Sequence, residues 1–289
     1  MKSNFYLILV LFLTQCSLYA QDLRISINQL SKNLTAYKII DVRNSEDFSI
    51  SHIKNSLNFP VSQSYENKRI DGKIIKPNKM QLHLRKLGLD VDDQIAIYDD
   101  GSFFDAARVF WTFEVYGFKN VKLINGGFDA LENQKLPISS EILKVKQSKY
   151  IPSINNQRLS TKFTTQIATR NPNQIIIDAR DYDSYIGKKS LAKRYGHIPK
   201  AIHIPAVHNL ETKEELSKLK EVNALKDLYK DVNKNKKVVI YCAIGRVAST
   251  NYFALRELGY DVSNYDASWK EWGNDFDLPI INEVTTKAK

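Results

Sequence analysis

Cysteine is nearly missing from this chain: among 289 residues only Cys16 and Cys242 carry a thiol. That excludes a disulfide scaffold and a cysteine-based zinc site, both of which need several cysteines at set spacings. Histidine is scarce too. His197, His203 and His208 are the one conceivable metal group, and with no partner cysteine at ligand spacing no metal is expected. Past the first twenty residues no apolar run approaches the about 20 residues of a membrane span. Charge of one sign is not concentrated either. The net charge is +10, but the excess Lys and Arg are spread along the chain, which suits anionic small molecules or solubility rather than nucleic acid.

What is present begins with a distinct leader. Residues 1–20 open with Lys2, run apolar from Phe5 to Leu13 except for Tyr6, and end Ser17-Leu18-Tyr19-Ala20. This is the layout of a signal peptide. Cleavage after Ala20 is expected to give an exported, periplasmic protein. The alternative is a lipoprotein anchored through Cys16, since Leu13-Thr14-Gln15-Cys16 roughly matches a lipidation box. Either way Cys242 becomes the one cysteine of the body, read as a buried small hydrophobe or as a reactive thiol.

The remainder repeats itself once. Tyr37-Lys38-Ile39-Ile40-Asp41-Val42-Arg43 recurs as Gln174-Ile175-Ile176-Ile177-Asp178-Ala179-Arg180, and Ser51-His52-Ile53 recurs as Gly196-His197-Ile198. Gln94-Ile95-Ala96-Ile97-Tyr98-Asp99 likewise matches Lys237-Val238-Val239-Ile240-Tyr241-Cys242. The offset stays near 140 positions throughout, so the chain is a tandem duplication. The polar, unpatterned stretch 141–157 separates a domain over 21–140 from one over 158–289. Short apolar runs alternate with helical periodicity at Met80 to Leu87, Ala106 to Tyr116, Leu216 to Tyr229 and Ala248 to Leu258. The predicted class is α/β, each domain a mostly parallel sheet with helices on both faces. Function in such sheets gathers where strands end and helices begin. Asp41, Asp178, Asp99 and Cys242 all fall at strand ends.

Cys242-Ala243-Ile244-Gly245-Arg246-Val247 links the strand ending at Tyr241 to a helix opening at Ala248. A short loop containing Gly and leading into a helix can turn successive backbone N–H groups inward around the sulfur. Such a cradle stabilises an anion, a thiolate or the terminal sulfur of a persulfide alike. Arg246 fits as the cation that draws in an anionic donor.

The order Asp-x-Arg, His-Ile-Pro, Tyr241-Cys242-x-x-Gly245, helix, then Tyr265-Asp266-Ala267-Ser268-Trp269-Lys270-Glu271-Trp272 resembles the two-domain rhodanese and mercaptopyruvate sulfurtransferase family. The resemblance spans nearly the whole chain past the leader. It implies two tandem rhodanese-like domains, with sulfane sulfur passing from a small anionic donor, thiosulfate favoured, through a Cys242 persulfide to cyanide or a thiol. No cofactor beyond that persulfide is implied. The first domain is implied to be inactive, because Asp99 stands where Cys242 stands in the second and a carboxylate cannot form a persulfide.

Some family features are absent. Ile244 replaces the Ser of the mercaptopyruvate branch's loop, so His52 is read as closing a turn rather than relaying protons. The Arg that the family places shortly after Asp-x-Arg is also missing, its stretch being Asp183-Ser184-Tyr185. Arg194, with Lys193 or Lys189 of the basic insertion 188–194, is the expected substitute in substrate binding. Asp178 and Arg180 are expected to brace the loop, and Trp269 and Trp272 to pack. Three alternatives stand beside thiosulfate transfer. A mercaptopyruvate sulfurtransferase and a sulfur carrier without turnover both remain open. A cysteine phosphatase would need Cys-x5-Arg, and residue 248 is Ala.

Overall fold

Every predicted buried strand forms, and the alternation of its side chains shows why. In the first domain Ile40, Ile97 and Leu123 face one apolar cluster, while their chain neighbours Ile39, Ala96 and Ile124 face another. In the second, Ile177, Val238 and Ile240 oppose Ile176, Val239 and Tyr241 in the same way. Strand side chains alternate between faces, so a run apolar at every position has to be covered on both. The structure, a computed structural model, describes residues 22–68, 72–213 and 216–286. The leader over 1–20 and Cys16 lie outside the described residues.

The two sheets repeat one order, all parallel. The first runs Arg24–Ile25, Val121–Ile124, Ile95–Tyr98, Lys38–Asp41, Leu57–Asn58. The second runs Leu159–Ser160, Val262–Tyr265, Lys237–Tyr241, Gln174–Asp178, Ala201–His203. The chain between Ser139 and Leu159 carries no helix or strand. It is nevertheless tied down, because buried Tyr150 donates its hydroxyl to the Tyr116 carbonyl at 2.9 Å. Among the described residues no helix is long and apolar enough to cross a membrane.

One helical expectation fails. Of the stretch Leu216 to Tyr229 only Val222–Leu228 is helical. Leu216–Leu219 instead pairs antiparallel with Leu210–Lys213. Contacts from the other domain decide the matter: the Ser217 N–H donates to the Gly101 carbonyl at 2.7 Å and the Leu219 N–H to Asn125 Oδ1 at 2.9 Å. Tertiary partners of this kind outweigh local periodicity.

The domains meet helix against helix. Phe104–Val115 is apolar nearly all round, the signature of a helix covered on every side, and it packs on Ala248–Glu257, which is buried throughout. Phe253 meets the edges of Phe110 and Phe103 with centroids 4.8 and 5.7 Å apart, each pair adding about 0.5–1.5 kcal/mol beyond burial. Glu114 accepts from the Tyr252 hydroxyl at 2.5 Å and from Arg256 at 2.8 Å. Arg24 grips Glu257 with two parallel bonds of 2.7 Å. One apolar cluster therefore runs through both domains and includes Cys242.

Candidate active site

The strand ends are built twice from the same parts. Asp178 Oδ2 takes the Tyr241 hydroxyl at 2.6 Å and Arg180 Nη2 at 2.5 Å, and Arg180 then reaches the Gly196 carbonyl at 2.7 Å. In the first domain Asp41 Oδ2 takes Tyr98 at 2.5 Å and Arg43 at 2.7 Å, and Arg43 reaches the Ser51 carbonyl at 2.6 Å. A residue with two donors satisfied by its own Asp and a third by a carbonyl is a clamp on the loop that follows the strand. His52 and His197 repeat each other as well, Nδ1 bonding the carbonyls of Phe48 and Tyr185 at 2.7 and 2.8 Å. His52 thus closes a turn in its own domain.

Cys242 is buried at the end of Lys237–Tyr241. Its N–H donates to Ser268 Oγ at 3.2 Å and its carbonyl accepts from the Trp269 N–H at 3.0 Å, so the terminal Tyr-Asp-Ala-Ser-Trp string holds the cysteine from behind. Gly245 takes a left-handed φ of +72°, where a side chain would be strained. Its carbonyl is fixed by Ser249 Oγ at 2.9 Å and Asn264 Nδ2 at 3.0 Å. Turned this way, the loop leaves the backbone N–H groups of residues 243–248 without a protein acceptor among the described residues. These six consecutive donors lead into the N-terminus of the ten-residue helix Ala248–Glu257, a setting that favours an anion.

The first domain supplies a wall to this loop. Arg108 is fully buried between the Tyr65 and Trp111 rings, 4.2 and 4.4 Å from their centroids. From there it donates to the Gly245 carbonyl at 3.3 Å. Arg246 is held by Asp105 in an ion pair across the domain boundary. Asp266 accepts the Ile74 N–H at 2.7 Å, which carries the turn at Gly72 over Ile244. The Tyr65 hydroxyl is buried with no hydrogen-bond partner among the described residues. Burial, opposed by the Arg108 charge and assisted by Cys242, pushes its phenol up to about 12. Tyr65 belongs to no sequence motif, whereas Arg108 lies in Ala106-Ala107-Arg108-Val109-Phe110-Trp111, a string that fits the family's first domain but gives the arginine no role.

In the first domain the matching position is filled by the protein itself. Asp99 accepts the N–H groups of Gly101 at 2.9 Å and Ala106 at 3.2 Å, at the start of Phe104–Val115. Burial pushes its carboxyl up to about 6.

Beside the Cys242 loop lies a cavity of about 510 Å³, which meets the loop at Ala243 and Val247 and the neighbouring strand end at Ala179 and Arg180. Both tryptophans are buried: Trp269 lines the cavity, and Trp272 holds its indole N–H on the Pro279 carbonyl at 2.9 Å. Arg194 does not belong to it, and the expectation of a substrate cation there is corrected. Its guanidinium donates to the carbonyls of Leu278 at 2.7 Å and Trp272 at 2.9 Å and also to that of Asp275. Those donors are spent fastening the C-terminal segment. Of the two lysines named with it, Lys189 alone lines the cavity, paired with Asp181 at 3.1 Å. His203, for its part, bonds the Arg180 carbonyl at 2.9 Å.

Comparison with known proteins agrees with the duplicated architecture. The rhodanese-like domain pattern matches residues 26–134 and again 162–275. A thiosulfate sulfurtransferase of Corynebacterium glutamicum is 31% identical over 301 residues, covering 93% of this chain and 94% of that protein. In fold, the crystal structure of SseA from Escherichia coli, titled for 3-mercaptopyruvate sulfotransferases, superposes with a TM-score of 0.77 at 20% identity, covering 86% of this chain and 99% of that one. The wild-type structure of EanB superposes with a TM-score of 0.80 at 18% identity, covering 92% and 70%. With two sheets of one strand order, two Asp-x-Arg clamps and one cysteine loop between them, the chain belongs to the rhodanese-like domain family, as a tandem pair of such domains.

Proposed function

We propose that the chain is a sulfurtransferase in which Cys242 carries the sulfur. The observation that carries this reading is the run of six loop N–H groups, residues 243–248, which among the described residues have no protein acceptor, next to the buried Cys242 thiol. The Cys242 thiolate attacks the outer sulfur of thiosulfate. The S–S bond breaks, sulfite leaves with its electron pair, and the persulfide that remains lies against the loop donors. Cyanide or a thiolate then takes the outer sulfur and Cys242 departs as thiolate. The name of the Corynebacterium relative supports thiosulfate as donor. Arg246, paired with Asp105 across the domain boundary, is the cysteine loop's own cation and supplies positive charge for the donor. No cofactor enters this route, since the carried group is bonded to the enzyme. The leader pattern of residues 1–20 supports a periplasmic location, which N-terminal sequencing of the protein recovered from a periplasmic fraction tests.

The deciding assay incubates purified protein with cyanide and either thiosulfate or mercaptopyruvate and measures thiocyanate. Wild type yields thiocyanate from thiosulfate and Cys242→Ser yields none. Absence of product from both donors, despite a gain of one sulfur in the mass of the protein, would point to a carrier instead.

A further inference from the structure

The cavity beside the cysteine loop is poorly matched to the small anions that this chemistry is built around. At about 510 Å³ it has the size of sites that take organic molecules of tens of atoms, whereas thiosulfate has five and cyanide two. Its walls are chiefly apolar: Phe104 reaches in from the first domain, Pro205, Val207 and Leu191 from the second, and Val247 and Trp269 from around the cysteine loop.

Nor does the cavity offer an unbalanced charge. Arg180 is neutralised by Asp178 at 2.5 Å, and Lys189 by Asp181 at 3.1 Å. Its two serines are occupied too, Ser184 on Asp181 at 2.9 Å and Ser190 on the Arg194 carbonyl at 2.7 Å. Leu191 and Val207 are meanwhile 77% and 59% exposed, apolar surface of the cavity wall that no described residue covers. Leu191 belongs to the basic insertion 188–194, so the insertion contributes an apolar residue to this cavity as well as the compensated Lys189.

We infer that this cavity receives the apolar body of an organic thiol, which is the sulfur acceptor. The inference rests on Cys242 being the sulfur carrier. The thiolate of the bound molecule attacks the outer sulfur of the Cys242 persulfide. A new S–S bond forms, the old one breaks with its electron pair going to the Cys242 sulfur, and the product leaves as an organic persulfide. The number of thiolates is conserved, so no oxidant or reductant is consumed. Acceptors are then ranked by apolar surface and not by nucleophilicity alone.

The test compares benzyl mercaptan with 2-mercaptoethanol, thiols of similar acidity, so that a difference reports binding rather than thiolate fraction. Full-length protein is loaded with one sulfur by polysulfide, freed of reagent, and its discharge is followed by intact mass in a single turnover. The expected result is a half-saturating concentration at least ten-fold lower for benzyl mercaptan, with the ratio falling below two-fold in Leu191→Asp and in Val207→Asp. Equal half-saturation in wild type, or a ratio that survives both substitutions, overturns the inference. A binding arm needs no turnover: in Cys242→Ser, benzyl mercaptan saturably changes tryptophan fluorescence, Trp269 being in the wall, and 2-mercaptoethanol does not. Failure of this arm counts against the cavity assignment. Failure of any sulfur to load on Cys242 counts against the sulfurtransferase reading instead.

Discussion

Asp99 and Cys242 end equivalent strands and precede equivalent helices, and each is buried at its helix's start. One domain turns two donors of its loop, the N–H groups of Gly101 and Ala106, onto its own carboxylate; the other leaves those of residues 243–248 without a protein acceptor among the described residues. This occupancy has a cost that pH exposes. Burial first, and Asp100 second, raise the Asp99 carboxyl from 3.8 to about 6, so folding favours its protonated form. The stability that goes with that proton is fully present below about pH 3.8 and is lost as pH rises through about 6. A displacement of about two pH units corresponds to about 3 kcal/mol. Asp99→Asn, neutral throughout, is expected to gain about that much on wild type between pH 4 and pH 7 in urea unfolding. A gap that does not change with pH would refute this.

Arg246 and Asp105 make the second prediction. The pair is partly exposed and spans the domain boundary, so it both positions the cation and halves its pull on a dianion. Asp105→Asn keeps an oxygen for the Arg246 Nε–H but removes the charge. Exposed charge pairs are worth about 0.2–1 kcal/mol, so the KM for thiosulfate is expected to fall about two- to five-fold, less at high salt. Arg246→Ala should raise it. Initial rates at two ionic strengths check both signs.

Tyr65→Phe separates a structural from a chemical role. The ring and its stacking on Arg108 are kept, and only the unpartnered hydroxyl goes. A buried polar group without a partner costs about 1–3 kcal/mol, so the variant should be more stable, by about 1 kcal/mol. A hydroxyl that donates to the sulfur anion contributes about as much to turnover, and kcat/KM should fall about five- to ten-fold. Stability and rate moving in opposite directions is the outcome to look for in paired thermal and kinetic measurements. A rate unchanged from wild type would make Tyr65 packing only.

How far these features were legible depends on the sequence distance of their partners. The two members of each clamp, Asp178 with Arg180 and Asp41 with Arg43, lie two residues apart, and the repeat exposed them. The cysteine loop was legible for the same reason, being one uninterrupted string from Tyr241 to Ala248. The start of Leu216 to Tyr229 was misread because what turns it into a strand is Gly101 and Asn125, over 90 residues away. Arg194 was misread because a cation's spacing from a motif says nothing about the carbonyls of 272–278 that consume its donors. Arg108 stood in a legible string, Ala106 to Trp111, but its partner Gly245 is 137 residues away, and Tyr65 belongs to no string at all.

Gly245 joins both domains at one atom, and its substitution is the sharpest test of the loop. Its φ of +72° costs a residue with a Cβ about 1–2 kcal/mol. That alone would be tolerable, but a Cβ there would sit 2.9 Å from Arg108 Nη1. A flexible arginine could retreat; this one is fully buried between two aromatic rings and has nowhere to go. The loop must therefore move instead, displacing the N–H groups of 243–248. Gly245→Ala is expected to lose about 2–4 kcal/mol in denaturant unfolding and at least 100-fold in thiocyanate formation, roughly the cost of losing one oriented donor to an anion in a closed site. Arg108→Lys combined with Gly245→Ala relieves the clash but not the strain. The double variant should recover part of the stability, with a coupling of about 1 kcal/mol or more in the cycle. Additive losses would mean that Arg108 and Gly245 do not meet as the structure has them.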